Sequence, residues 1–172
     1  MNHKNTNFQL NSPYPPVKVK NPNVMYAEIL MDDYAGTASE LTAITQYLYH
    51  HLESENTNPQ IAKLFEGVAL VEMHHLEMLG KLIIAFGGNP TYRGSFGNNF
   101  AFWSGHYVNY SQNIREQLIA DIHAEKTAIA NYLKHAEIID DPYARSVLYR
   151  IIEDEELHLK LFKEALKSLR EG

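Results

Sequence analysis

The chain has 172 residues, enough for one domain with a substantial core, and its 45% apolar and 21% charged residues are ordinary for a globular protein. A formal net charge of −6 offers nothing to nucleic acid or anionic membrane, and no apolar run approaches the ~20 residues of a membrane span. There is no cysteine, which excludes disulfides, Cys-ligated zinc or iron–sulfur sites and thiol catalysis by these residues.

Residues 1–22 are polar and carry Pro13, Pro15, Pro16 and Pro22. Proline fixes φ and removes a backbone donor, so this stretch is expected as an extended arm, ordered where it lies on a surface. It lacks the apolar segment of a secretory signal, and a cytoplasmic location is expected. The helical domain is expected over residues 23–172, with four long periodic patterns. The first spans about Val24 to Glu53, with Ile29, Leu30, Ala43, Ile44, Tyr47 and Leu48 on its apolar stripe and Gly36 interrupting it. The second opens at Asn58-Pro59, an N-cap followed by proline in the first turn, and stops at Gly87-Gly88. The third opens near Asn113, with Glu116 placed as a capping-box partner, and ends near Ile139. The fourth runs from Asp141-Pro142 to about Leu169.

Short loops join helices one and two, and three and four, so each pair should be an antiparallel hairpin. About 25 residues without a clear period separate the second helix from the third, the long crossover that a bundle with parallel second and third helices requires. The predicted fold is all-α, a four-helix bundle. Phe96, Phe100, Phe102, Trp103, Tyr107 and Tyr110 would anchor the crossover along the bundle or at a subunit contact.

Residues 40–50, ELTAITQYLYH, and 125–135, EKTAIANYLKH, share seven of eleven letters, including the glutamate at their head. The second helix carries Glu72-x-x-His75-Leu76 and the fourth Glu155-x-x-His158-Leu159, each at the same distance from its Asx-Pro start. The chain is therefore two helical hairpins, each reading Glu and then Glu-x-x-His. Residues three, four or seven apart share a helix face, which places Glu40, Glu72, His75, Glu125, Glu155 and His158 on the apolar stripes. An ionised carboxylate buried alone costs many kcal/mol, and no inward Lys or Arg opposes these four. Two divalent cations supply the missing charge. Four glutamates and two histidines are also the ligand set of bundle-core dimetal sites.

Tyr47 and Tyr132, two turns from Glu40 and Glu125, are either hydrogen-bond donors to the site or core aromatics with hydroxyls at the surface. Asp154 either orients the histidine of the opposite helix or is an exposed acid. Asp121 is expected as a polar flank, and His50, His74, His106, His123 and His135 as solvated.

With these residues in place, the chain resembles the ferritin-like dimetal-carboxylate superfamily, its rubrerythrin and manganese-catalase branch, across about residues 24–170. IIEDEELHLKLF is similar to the fourth helix of rubrerythrins, and ASELTAITQYLYH to the first helix of rubrerythrins and manganese catalases. The resemblance implies that Glu40 and Glu125 are terminal ligands. It also implies that Glu72 and Glu155 bridge the metals, with His75 on one and His158 on the other. Two departures bear on this. The additional third-helix glutamate of rubrerythrins is missing, with Ile122 and Ala128 three residues either side of Glu125. In manganese catalases the fourth-helix glutamate is a non-ligating acid/base, a part open to Glu155.

An oxygen-rich site with one imidazole per ion suits Fe(II) or Mn(II). The expected activity is peroxide handling, catalase-like or peroxidase-like, with Glu155, Tyr47 and Tyr132 as catalytic candidates. Hydrogen peroxide or dioxygen would be the substrate, a separate protein the electron donor of a peroxidase, and a homo-oligomer, at least a dimer, the assembly. The alternatives are iron oxidation and storage, or a coat-type structural protein that retains the site.

Overall fold

The computed structural model describes residues 8–95 and 101–171. Its helices are α1 (Val24–Ala35), α2 (Glu40–Ser54), α3 (Pro59–Ala85), α4 (Ile114–Ile138) and α5 (Pro142–Glu171). The fold is a ferritin-like helical bundle. α1 and α2 follow one another along α3 as two segments of its first member, α2 and α3 pair as one hairpin, and α4 and α5 pair as the other.

The first helix is thus broken where one continuous helix was expected. Gly36 leaves the helix in extended conformation, and a Cβ there would stand 2.6 Å from the Asp32 carbonyl oxygen. Ser39 then restarts the chain as an N-cap, accepting from Thr42 N and donating its hydroxyl to the Gly36 carbonyl. The break makes Glu40 the first residue of α2.

Other boundaries follow the expected chemistry. Asn58 caps α3 with Pro59 behind it, and Gly87 leaves it at φ +91°, a left-handed conformation that favours glycine. Asn113 caps α4, but Glu116 accepts from the Ser111 hydroxyl rather than closing a capping box. The Asp141 carboxylate receives the backbone N–H groups of Tyr143 and Ala144 at the start of α5. Leu48, expected on the buried stripe, is 48% exposed because α2 turns that flank outward.

Two apolar clusters fill the bundle. One gathers Leu30, Met31, Leu79, Leu82, Phe86, Leu148 and Ile151, the other Tyr47, Phe65, Val68, Leu118 and Phe162. The residues that separate them on α3 and α5 are Glu72, His75, Glu155 and His158, so the polar site is a layer between two dry ones.

The crossover is held by Trp103, whose indole N–H donates to Thr42 Oγ1, by buried Val108, and by the Arg93–Glu28 ion pair. Phe102 is exposed, Tyr110 is exposed but sets its ring edge-on against Tyr49 of α2, and Tyr107 is half-buried. Phe96 and Phe100 lie outside the described residues. Among the described residues, no helix is long and apolar enough to cross a membrane.

Residues 8–22 run without regular structure, antiparallel to α5 and over its seam with α3. Phe8 meets His158, Tyr14 meets Asp154 and His74, and Lys20 N donates to Asp141.

Candidate metal centre

The six residues expected as ligands are each at most 4% exposed, although the sequence around them is apolar. They converge into two adjacent groups, Glu40, Glu72, His75, Glu155 and Glu72, Glu125, Glu155, His158, each with one donor atom per residue within 4.8 Å of the others. His75 Nδ1 lies 2.7 Å from Glu72 Oε2, 3.2 Å from Glu155 Oε1 and 3.9 Å from Glu40 Oε1. His158 Nδ1 lies 2.9 Å from Glu72 Oε1, 3.2 Å from Glu155 Oε2 and 4.0 Å from Glu125 Oε1. Glu72 and Glu155 therefore turn one oxygen to each group, while Glu40 and Glu125 each face one.

The far nitrogens of the two imidazoles fix their tautomers. His75 Nε2 points at Asp154 Oδ2, 3.2 Å away, and His158 Nε2 at the Phe8 carbonyl, 2.8 Å away. A carbonyl can only accept, so His158 Nε2 carries a proton, and an ionised Asp154 asks the same of His75. With Nε2 so engaged, Nδ1 is the nitrogen of each ring that faces the carboxylates, and the one left to hold an ion.

Burial makes this arrangement costly without cations. Desolvation, then the charges of Glu72 and Glu155, push Glu40 well above the usual carboxylate range; Glu125 rises for the same reasons. Burial works against a charged His158, but the Glu72 carboxylate and the hydrogen bonds of Glu155 and Glu72 raise it to about 10. Glu72 Oε1 faces His158 Nδ1 and Glu155 Oε1 faces His75 Nδ1, with no hydroxyl or amide donor on either oxygen. Four carboxylates and two Nδ1 atoms around two points are the donor set of a dinuclear iron or manganese centre. The chain carries such a centre.

The tyrosines of the repeat cross the bundle. Tyr47 donates to Glu125 Oε1 at 2.7 Å, and Tyr132 donates to Glu40 Oε1. Both rings are fully buried, so their hydroxyls face the carboxylates and not the surface. Between α2 and α4, the small side chains Ala43, Ala120, Ala124 and Ala128 leave a pocket of about 350 Å³ whose inner wall includes Glu40, Glu72, Glu125 and Glu155. The opposite side is closed by the arm, with Tyr14 set between His74 and the Arg150 guanidinium.

Asp154 is buried and faces the histidine of the opposite helix. Burial would raise it, but hydrogen bonds from His75, Tyr14, Leu10 N and Arg150 hold it well below the usual carboxylate range. Arg150, the buried cation nearest the site, is turned to Asp154 and to the arm carbonyls of Leu10 and Ser12.

Three expectations are corrected. Asp121 is fully buried, bonded to Gln46 Nε2 and to His50 Nδ1, so it is no polar flank and His50 is not solvated. His135 is buried against Asp33, with Nδ1 2.6 Å from its carboxylate. The signal was in the repeat, whose last letter is histidine in both copies; each finds an aspartate in the other hairpin. His106 and His123 are exposed as expected, whereas His74 is half-buried with its ring against Tyr14. Phe8 and Tyr14 carried no signal, because nothing in an extended arm specifies where it docks.

The family model described as Rubrerythrin matches residues 34–166. A probable manganese catalase of Clostridium acetobutylicum is 26% identical over 90% of this chain and 76% of its own length. The protein CotJC of Bacillus subtilis is 26% identical over 91% of this chain and 90% of its own. The crystal structure of KatB, a manganese catalase from Anabaena PCC7120, superposes with a TM-score of 0.83 at 27% identity, covering 94% of this chain and 80% of that one. With a match over most of its length, the chain belongs to the rubrerythrin family.

Proposed function

We propose that this protein is a dinuclear manganese or iron oxidoreductase that acts on hydrogen peroxide. Glu40 and His75 are assigned to one ion, Glu125 and His158 to the other, and Glu72 and Glu155 to both. The observation that carries the reading is the pocket between α2 and α4, which brings small solutes to the four carboxylates while the arm closes the other side. The two ions would supply Lewis acidity and the two electrons that O–O scission requires.

The remaining work falls to the chain. Tyr47 and Tyr132 hold Glu125 and Glu40 in orientation, and the dry clusters above and below the site exclude bulk water. Asp154 and the Phe8 carbonyl keep the Nδ1 atoms facing inward. A carboxylate on the inner wall of the pocket is assigned to carry protons between successive peroxides.

Disproportionation balances on peroxide alone. One molecule takes up two electrons and two protons to give two waters; a second gives up both pairs and leaves as dioxygen. A peroxidase would draw the same electrons from a separate donor.

The test combines elemental analysis of protein isolated without added metal with oxygen-electrode measurements on protein reloaded with Mn(II) or Fe(II). Oxygen evolution at one mole per two moles of peroxide is expected. No turnover of peroxide with either metal, with or without a reductant, would remove the proposal. Mineral-bearing particles formed from Fe(II) and dioxygen would support storage in its place.

A further inference from the structure

The two halves of the metal layer depart from their own repeat at one place. Where Glu72 corresponds to Glu155 and His75 to His158, Asp154 corresponds to Val71 and Arg150 to Gly67. On α5, Arg150 and Asp154 form a buried pair that presents Asp154 Oδ2 to His75 Nε2. By the same symmetry α3 should present an acceptor to His158 Nε2, and Val71 has none. The arm fills the gap. The Phe8 ring lies against α3 at Gly67, where a Cβ would come within 2.2 Å of it, and the Phe8 carbonyl accepts from His158 Nε2 at 2.8 Å.

We propose that the N-terminal arm is a built part of the metal centre, with Phe8 as the positioning residue for His158, so that the two metal positions are unequal. His75 is oriented by a carboxylate that Leu10 N, Tyr14 and Arg150 hold in place. His158 is oriented by a neutral carbonyl that only the arm's docking keeps there. A carboxylate partner makes an imidazole the better donor, so the His75 position binds its ion more tightly and the His158 position depends on the arm. Gly67 is explained by the same contact. A glycine inside a long helix weakens it, and here it makes room for the Phe8 ring.

This inference rests on the dimetal reading, and the experiment separates the two. Mn(II) is titrated into the metal-free full-length chain, into a variant lacking residues 2–8, and into Gly67→Ala, with chelator competition for affinity and EPR for coupling between ions. The deletion retains Leu10 and Tyr14, and therefore the support of Asp154. Full-length protein should bind two ions that give a spin-coupled signal. Both variants should retain one tight ion and bind the other ~10–100-fold more weakly, the usual effect of losing a ligand's hydrogen-bond partner. At limiting metal their spectra should show isolated Mn(II).

Gly67→Ala guards against a deletion that fails to fold, since alanine is the better helix former and the atoms its Cβ meets first are those of the Phe8 ring. Two ions bound by both variants with full-length affinity would overturn the inference and leave the dimetal reading intact. Failure of the full-length chain to bind metal would overturn both.

Discussion

Tyr47 of the first hairpin donates its hydroxyl to Glu125 of the second at 2.7 Å, while Tyr132 of the second donates to Glu40 of the first. The bonds cross the bundle in opposite directions. They explain why the repeated phrase keeps tyrosine seven residues after glutamate, since each copy's tyrosine serves the other copy's carboxylate. Tyr47→Phe and Tyr132→Phe remove a donor without opening a cavity. Each should lower affinity for one ion by ~10–100-fold, the scale for outer partners of metal ligands. Calorimetric titration of the metal-free variants with Mn(II) checks this, and wild-type affinity in both would remove the tyrosines from the site.

The metal-free protein should lose stability as pH rises. Glu40 and Glu125 hold their protons above the ordinary value of 4.5, chiefly through burial and the charges of Glu72 and Glu155. Their contribution is therefore complete below 4.5 and is lost as pH climbs through the folded-state values. His75 and His158 act in the same direction, with contributions complete below 6.5 and lost above it. Glu155 and Asp154 are held below their ordinary values of 4.5 and 3.8, so they contribute above those values and fail in acid. The metal-free melting temperature should peak near pH 5 and decline towards pH 8. Loaded protein should reverse the slope, because the ligands must be deprotonated to hold the ions. Melting curves at pH 5, 6, 7 and 8 with and without Mn(II) read this directly, and parallel profiles would contradict it.

The pair His50–Asp121 joins the hairpins at 3.0 Å with both side chains fully buried. Asp121→Ala leaves the imidazole and the Gln46 amide facing a gap, so ~3–5 kcal/mol of stability should be lost in urea unfolding, as for other broken buried pairs. Replacing His50 and Asp121 together by leucine should recover most of it, since an apolar pair of like volume is often as stable. A loss below about 1 kcal/mol in Asp121→Ala would mean that water replaces the carboxylate.

What the sequence made legible was whatever repeats. Glu40/Glu125 and the two Glu-x-x-His segments were readable because polar letters stood on apolar stripes twice in the same register. The break at Gly36 was not, because a glycine inside a periodic pattern is compatible with a continuous helix until the Asp32 carbonyl is seen beside it. His50 and His135 were misplaced on the surface because helix periodicity describes one face, and both aspartate partners come from other helices. Arg150 shows the same limit. It is buried, yet the arm that makes burial tolerable is distant in the chain and has no periodicity.

Glu155 decides between two chemistries. Its oxygens face His75 Nδ1 and His158 Nδ1 at the same 3.2 Å, as Glu72's oxygens face them at 2.7 and 2.9 Å. A side chain placed symmetrically between two positions is suited to bridge them, whereas an acid/base standing clear of the metals would face the pocket with one oxygen. Glu155→Gln keeps the shape and removes the charge and the proton-carrying capacity. As a bridge, its loss should lower metal occupancy and peroxide turnover together, with fewer than two ions retained through desalting. As a detached acid/base, both ions should stay while turnover falls by ~10²-fold or more. The symmetric spacing favours the first outcome. Full occupancy with lost turnover, measured on one preparation by metal analysis and oxygen electrode, would reassign Glu155 from ligand to proton carrier.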